Sequence, residues 1–372
     1  FIWFARMGDG YMGGKARGLA FLNSILYCYR LLDAFPGVRI TIPRTVVIAT
    51  DYFDDFIRVN GLQYVIQSEE DDQYILSEFL GARLSEELIE QLRVFIRHVT
   101  GPLAVRSSSK LEDSHYQPFA GVYSTYMVPR VEDDEQMLRL LIKAVKSVYA
   151  SVYFRGSRAY ILASSNLLSE EKMAVVIQQV CGTEENGYFF PTISGVARSI
   201  NYYPVGDERV EEGIANIALG LGKMVVEGGQ TLRFSPRYPK RLLQLSSPDM
   251  ALRDTQHKMY ALSLSPRRFR TSVDDGVNID CLDIQDVAGY RNTSYVASVW
   301  NHSDGTLSDS PSASGRKVIT FASVLKYDRF PLAEILSRLL DTGRREMLEE
   351  VEIEFAVDMD VPKGHDINFN VL

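Results

Sequence analysis

The stretch PLAVRSSSKLEDSHYQPFAGVYSTYMVP, residues 102–129, reads as a short apolar strand, a polar turn and a second strand from Gly121 to Val128. An arginine that leaves a strand into a hydroxyl-rich loop suits the gripping of a phosphate. The guanidinium fork of Arg106 can bond two oxygens, while Ser107, its neighbouring hydroxyls and the loop amides take others. The same residues read equally as a solvated hairpin in which Arg106 pairs with Glu112.

Working outward, residues 13–32 carry Leu19, Leu22, Leu26 and Tyr29 at spacings of three and four, which predicts a helix with one buried face. Gly13 and Gly14 open it and place Lys15 in its first turn, where free N–H groups, the helix dipole and an ammonium group together suit an anion. Taken alone, this is also an ordinary turn before a helix, and its spacing is not that of a Walker A loop. The β-branched run 40–50 predicts a strand ended by Asp51 as a helix cap. Residues 85–98 predict a helix capped by Ser85, about 134–150 a second helix, and KMAVVIQQV, 172–180, a buried strand.

Further along, SGVARSINYYPV, 194–205, reads as a strand, and glycines at 220, 222, 228 and 229 interrupt an apolar stretch, bringing backbone close to something. Residues 233–270 hold nine Lys and Arg against two Asp, a pattern that fits a solvated basic surface. A polar loop at 301–316 precedes an expected strand, 317–325, and helix, 331–340. In VEIEFAVDMD, 351–360, alternation sets Val351, Ile353, Phe355 and Val357 on a core face, with Glu352, Glu354 and Asp358 opposite. Carboxylates so placed hold Mg²⁺ when phosphate oxygens complete its shell, or else form a solvated acidic face. The change of texture after Gly182 places a boundary near 182–194.

The chain of 372 residues, 46% apolar and 24% charged, is long enough for two or three structural units and is not disordered. A net charge of −8 argues against wrapping nucleic acid with the whole surface. Cys28, Cys181 and Cys281 stand far apart with no Cys-x-x-Cys pair, so neither a zinc ribbon nor a disulfide framework is expected. Without a run of about 18 apolar residues or a signal-peptide pattern, no membrane segment is expected, and a reducing compartment such as the cytoplasm is.

The order of these motifs is more specific than any one of them: Gly-Gly-Lys, Val-Arg-Ser-Ser with Glu-Asp, Phe-Ala-Gly, Val-Val-Ile-Gln, Gly-Leu-Gly and Glu-Ile-Glu-Phe. The chain resembles the N-terminal nucleotide-binding domain of the pyruvate phosphate dikinase and phosphoenolpyruvate synthase family, which includes rifampicin phosphotransferase and glucan water dikinase. The resemblance implies an ATP-grasp fold of two α+β lobes, 1–185 and 186–372, with an elaboration at about 233–330 of the second. It implies ATP and Mg²⁺ as cofactors, and transfer of the β-phosphoryl group of ATP to a histidine on a separate swivelling domain that serves an acceptor-binding domain. Neither nucleic acid nor membrane is an implied partner.

By the same resemblance Lys15 and Arg106 are the catalytic phosphate-binding pair. Gly14 and Ser107 assist them, Gly121 and Thr125 belong to the loop over the phosphates, and Gln178 leads to the adenine hinge. Gly222 closes the Gly-Leu-Gly loop, and Glu354, with Glu352, binds the metal. The chain departs from the family pattern at Lys223, where a glutamate is usual after Gly-Leu-Gly. It also ends at Leu372, where the family's Gln-x-Arg is expected to begin, and none of His98, His115, His257, His302 or His365 stands in the Gly-Gly-x-Thr-x-His setting of the swivelling domain. Two other readings stay open: a sensing or structural module that retains the fold without transfer, and a small-molecule kinase of the rifampicin phosphotransferase type.

Overall fold

The computed structural model describes residues 3–109, 123–163, 171–266, 268–310 and 315–372. The chain divides into two compact units, one of residues 1–25, 42–180 and 263–279, the other of 26–41, 181–262 and 280–372. Sequence placed one cut between 185 and 186. The structure has its main crossing at 180/181, and it also exchanges two short segments, 26–41 and 263–279. The second exchange takes part of the expected 233–330 elaboration into the first unit. There Phe269 and Val273 pack against the core, and Tyr126 donates its hydroxyl to the Ser272 carbonyl at 2.7 Å. Such long-range packing leaves no local trace in sequence.

The first unit is built on a five-stranded sheet in the order Phe4–Met7, Thr45–Ile48, Met173–Gln179, Leu103–Ser109, Thr125–Val128. The outermost pair, Phe4–Met7 with Thr45–Ile48, is parallel, and the other pairings are antiparallel. The central strand is almost wholly buried, as its unbroken apolar run requires. Helices Thr50–Val59, Asp72–Gly81 and Asp134–Ser151 supply an aromatic cluster to the core, and Glu86–Ile96 adds Leu88, Leu92 and Ile96. In that cluster the ring of Phe53 meets Tyr149 edge-on at 5.0 Å, and Phe56 lies 5.8 Å from Phe79. Ser85 caps its helix as expected, its Oγ accepting from the Leu88 amide.

In several places the structure differs from the local sequence pattern. The run 40–50 forms two strands, Val38–Thr41 and Thr45–Ile48, in different sheets, because Pro43 between them has no N–H to continue a ladder. Asp51 is not the cap of the next helix, which starts at Thr50 after Ala49; it stands in the first turn and accepts from the Asp9 amide at 2.9 Å. The expected strand 194–205 stops at Arg198, and 317–325 is a strand only over Arg316–Ile319 before a short helix, Ala322–Leu325.

The second unit holds a six-stranded sheet in the order Leu232–Phe234, Ile214–Ala218, Ile193–Arg198, Glu352–Asp358, Ile367–Val371, Val38–Thr41. All neighbours are antiparallel except the last pair. Ile353, Phe355 and Val357 are buried, while Glu352 is exposed and Glu354 and Asp358 are intermediate, so the predicted alternation holds at these positions. Phe355 stacks on Phe369 at 5.1 Å. Two smaller sheets, of four and three strands, follow from the residues between 183 and 319.

Candidate functional site

In the first unit the start of helix Gly13–Cys28 is seated on the end of strand Leu103–Ser109. A Cβ on Gly13, whose φ is +72°, would stand 2.0 Å from the Ser108 carbonyl oxygen, so only glycine permits this approach. Ser108 Oγ donates to the Met12 carbonyl at 2.8 Å and accepts from the Ala16 amide at 3.2 Å. A hydroxyl from a strand 92 residues away therefore does the work of an N-cap. Lys15, half-buried one residue past Gly14, reaches Ser107 Oγ at 3.4 Å.

Ser107, Ser108 and Ser109 are buried members of the strand, a correction to the reading of them as a polar turn. Two of the hydroxyls are engaged by the helix start, which removes the usual cost of burying them. Arg106 is the one partly exposed residue of that strand and pairs in register with Thr125 and Val176. The Thr125 amide donates to Asp275 Oδ2 at 2.6 Å. This unit thus brings Lys15, Gly14, Arg106, Ser107 and Thr125 onto one helix start and the adjoining strand pair. Gln178 is buried on the central strand, its Nε2 donating to Thr45 Oγ1 at 3.2 Å. Gly121, with Glu112 and His115, lies outside the described residues.

In the second unit Glu354 sits opposite Val196 in the sheet register, half-buried. Glu352 is exposed and forms an ion pair with its cross-strand partner Arg198. Gly222 precedes the short helix Lys223–Val226, and a Cβ on it would stand 3.9 Å from that of Ser194, which pairs with Ala356 on the strand that carries Glu354. Lys223, the departure from the family pattern, bonds Glu227 at 2.6 Å and stands over the Tyr260 ring at 5.8 Å.

At the end of the same strand Asp358, half-buried as a residue, has its Oδ1 buried and unpartnered among the described residues. Desolvation pushes its carboxyl up to about 7 against a hydrogen bond from the Gly182 amide. Burial, aided by Asp358, also raises the adjacent Cys181 thiol well above its ordinary value.

Ser108, Asp275 and the Thr50–Asp51 helix start are the contributors that sequence reasoning missed. Ser108 stood inside the quoted motif, but its two bonds run to residues 92 and 96 positions away, and Asp275 lies 150 positions from Thr125. No spacing signal reports such pairs.

The family described as the AMP/ATP-binding domain of pyruvate phosphate dikinase matches residues 10–369. The chain is also 30% identical over 190 residues to a protein of Bacillus subtilis (strain 168) named uncharacterized phosphotransferase YvkC. That match covers 51% of this chain and 20% of the relative, so the chain spans about a fifth of the protein it matches.

Proposed function

The chain belongs to the family of the pyruvate phosphate dikinase AMP/ATP-binding domain, and from that premise we propose that it is the ATP-binding, phosphoryl-donating part of a dikinase-like phosphotransferase. The observation that carries the reading is the seating of the Lys15 helix start on the Arg106–Ser109 strand end, with Lys15 on Ser107 and Ser108 on the helix backbone beside it. Phosphoryl transfer asks for positioning and charge neutralisation more than for acid–base chemistry. Lys15 is a point charge for a phosphate oxygen, Arg106 a fork that grips two, and Gly14 leaves the backbone open to approach. Thr125 supports the same edge, and Gln178 lies on the strand leading toward the base.

Among the described residues no cluster of three or more His, Cys, Asp and Glu is arranged to hold a metal ion by itself. Mg²⁺ takes one or two carboxylates and completes its shell with phosphate oxygens and water. Glu354 is the carboxylate we assign to it. Glu352 joins only by leaving Arg198, and Gly222 is assigned to the nucleotide. Bound Mg²⁺ supplies further neutralisation of charge on the phosphates. The acceptor we propose is a histidine on a separate swivelling domain, which passes the group to an acceptor-binding domain. The three free cysteines suit a reducing compartment, for which we propose the cytoplasm; among the described residues no helix is long and apolar enough to cross a membrane.

Calorimetric titration of Mg·ATP into the chain and into its Lys15→Ala and Arg106→Ala variants tests the assignment. Each substitution is expected to weaken binding by about tenfold or more, the worth of one charge-assisted contact. Unchanged affinity in both would sink the phosphate-grip reading. A second reading, nucleotide sensing without transfer, is favoured by Lys223 and its tie to Glu227. It predicts tight ATP binding with no phosphohistidine formed on any domain supplied in trans.

A further inference from the structure

The loop that delivers Lys15 is anchored at its other end by the start of helix Thr50–Val59. Between strand Phe4–Met7 and helix Gly13–Cys28, the segment Gly8-Asp9-Gly10-Tyr11-Met12 lies directly on the first turn of helix Thr50–Val59. Asp51 Oδ2 accepts from the Asp9 amide at 2.9 Å, Thr50 Oγ1 accepts from the Tyr11 amide at 3.0 Å, and the Thr50 amide donates to the Tyr11 carbonyl at 3.0 Å. The fit leaves no room for side chains. A Cβ on Gly8, at φ +86°, would stand 2.5 Å from Asp51 Oδ1, and one on Gly10 2.6 Å from the Asp51 amide nitrogen. Oδ1 itself is buried under the loop without a partner among the described residues. An orphan of that kind is retained where the surrounding geometry over-determines it.

Three residues beyond this anchor, Gly13 meets Ser108 with equal tightness. The segment before Lys15 is therefore clamped at both ends, to Thr50 and Asp51 on one side and to Ser108 on the other. We propose that Asp51 is a positioning residue for the phosphate-binding lysine: it pins the Gly8–Met12 loop so that the start of helix Gly13–Cys28, and Lys15 with it, is held ready for the nucleotide. The inference rests on the reading of Lys15 as a phosphate ligand. Asp51 acts through the loop and touches no substrate. Its carboxylate is the acceptor for the loop's Asp9 amide, so an amide side chain can preserve the contact and a methyl group cannot.

The test is Mg·ATP titration and hydrogen exchange on the 372-residue chain carrying Asp51→Ala, Asp51→Asn, Gly10→Ala or Lys15→Ala. Asp51→Ala is expected to weaken Mg·ATP binding about tenfold, with exchange protection lost at residues 8–14 and kept in the Asp134–Ser151 helix. Asp51→Asn is expected to restore affinity to within about threefold of the parent chain, because its carbonyl oxygen still accepts from Asp9. Gly10→Ala, whose Cβ would press on the Asp51 amide and Thr50 Oγ1 and so lift the loop while the carboxylate is retained, should reproduce the Asp51→Ala loss and covers the case in which Asp51→Ala fails to fold. The proposal is overturned if Asp51→Ala and Gly10→Ala bind as the parent does while Lys15→Ala is impaired. It is equally overturned if their loss of affinity comes with loss of protection throughout the first unit, or if Asp51→Asn fails to rescue. Parent-like binding by Lys15→Ala would instead remove the underlying reading, and this one with it.

Discussion

Replacing Asp358 with asparagine should stabilise the protein at neutral and alkaline pH and do little for it in acid. At the end of strand Glu352–Asp358 one carboxyl oxygen is buried with no partner among the described residues, and the Gly182 amide donates a hydrogen bond to the group. Its folded-state pKa lies near 7 against an ordinary 3.8. Between those values the native state keeps a proton that the unfolded chain has released, so stability falls as pH rises through this window and levels off above about 7. At 1.36 kcal/mol per pH unit the full cost of ionisation is on the order of 4 kcal/mol, of which roughly 2–3 kcal/mol is incurred between about pH 5 and pH 8. The asparagine side chain carries no such charge. Its buried NH₂ group brings a pH-independent cost, which cancels when the difference between variant and parent at about pH 5 is subtracted from that at about pH 8. Urea denaturation followed by circular dichroism at several pH values in this range reads both chains directly. Parallel stability curves, with a difference flat to within about 0.5 kcal/mol, would refute the assignment of a buried, proton-binding carboxyl at this position.

Ser108→Ala removes both bonds that seat the Lys15 helix and should cost about 1–3 kcal/mol in urea denaturation. Gly13→Ala, strained at φ +72° and pressed on the Ser108 carbonyl, should cost more than Ser108→Ala and weaken Mg·ATP binding further. Glu354→Gln should flatten the dependence of ATP affinity on Mg²⁺ concentration, and an unchanged dependence would move the metal ligand elsewhere. Toward a maleimide at neutral pH, Cys28 and Cys281, both exposed, should label quickly, and Cys181, its thiol held protonated by burial, slowly; equal rates would contradict the described burial.

Much of the fold was legible because it rests on local pattern. The unbroken apolar run from Met173 to Gln179 could satisfy itself only in the middle of a sheet, and the alternation from Glu352 to Asp358 declared one core face and one acidic face. Ser85 and the glutamates after it announced a helix start. Reading failed where a local signal had two outcomes. The run 40–50 was β-rich throughout, yet Pro43 splits it between two sheets, and the hydroxyls of Ser107–Ser109 looked solvated until the helix start covered them.

Residue types and their order determined the family, the lysine and arginine suited to phosphate, and the carboxylate strand, since these depend on chemistry that each side chain carries wherever it sits. Tertiary structure alone decided how the lysine is held. Ser108 at one end of its loop and Asp51 at the other act over separations of 92 and 42 residues, through a carbonyl, a hydroxyl and a carboxylate whose meaning depends on what lies within about 3 Å. The same holds for Asp358: a carboxylate in the sequence is a charge, and only its loss of water at the end of that strand makes it a group that keeps its proton near neutral pH.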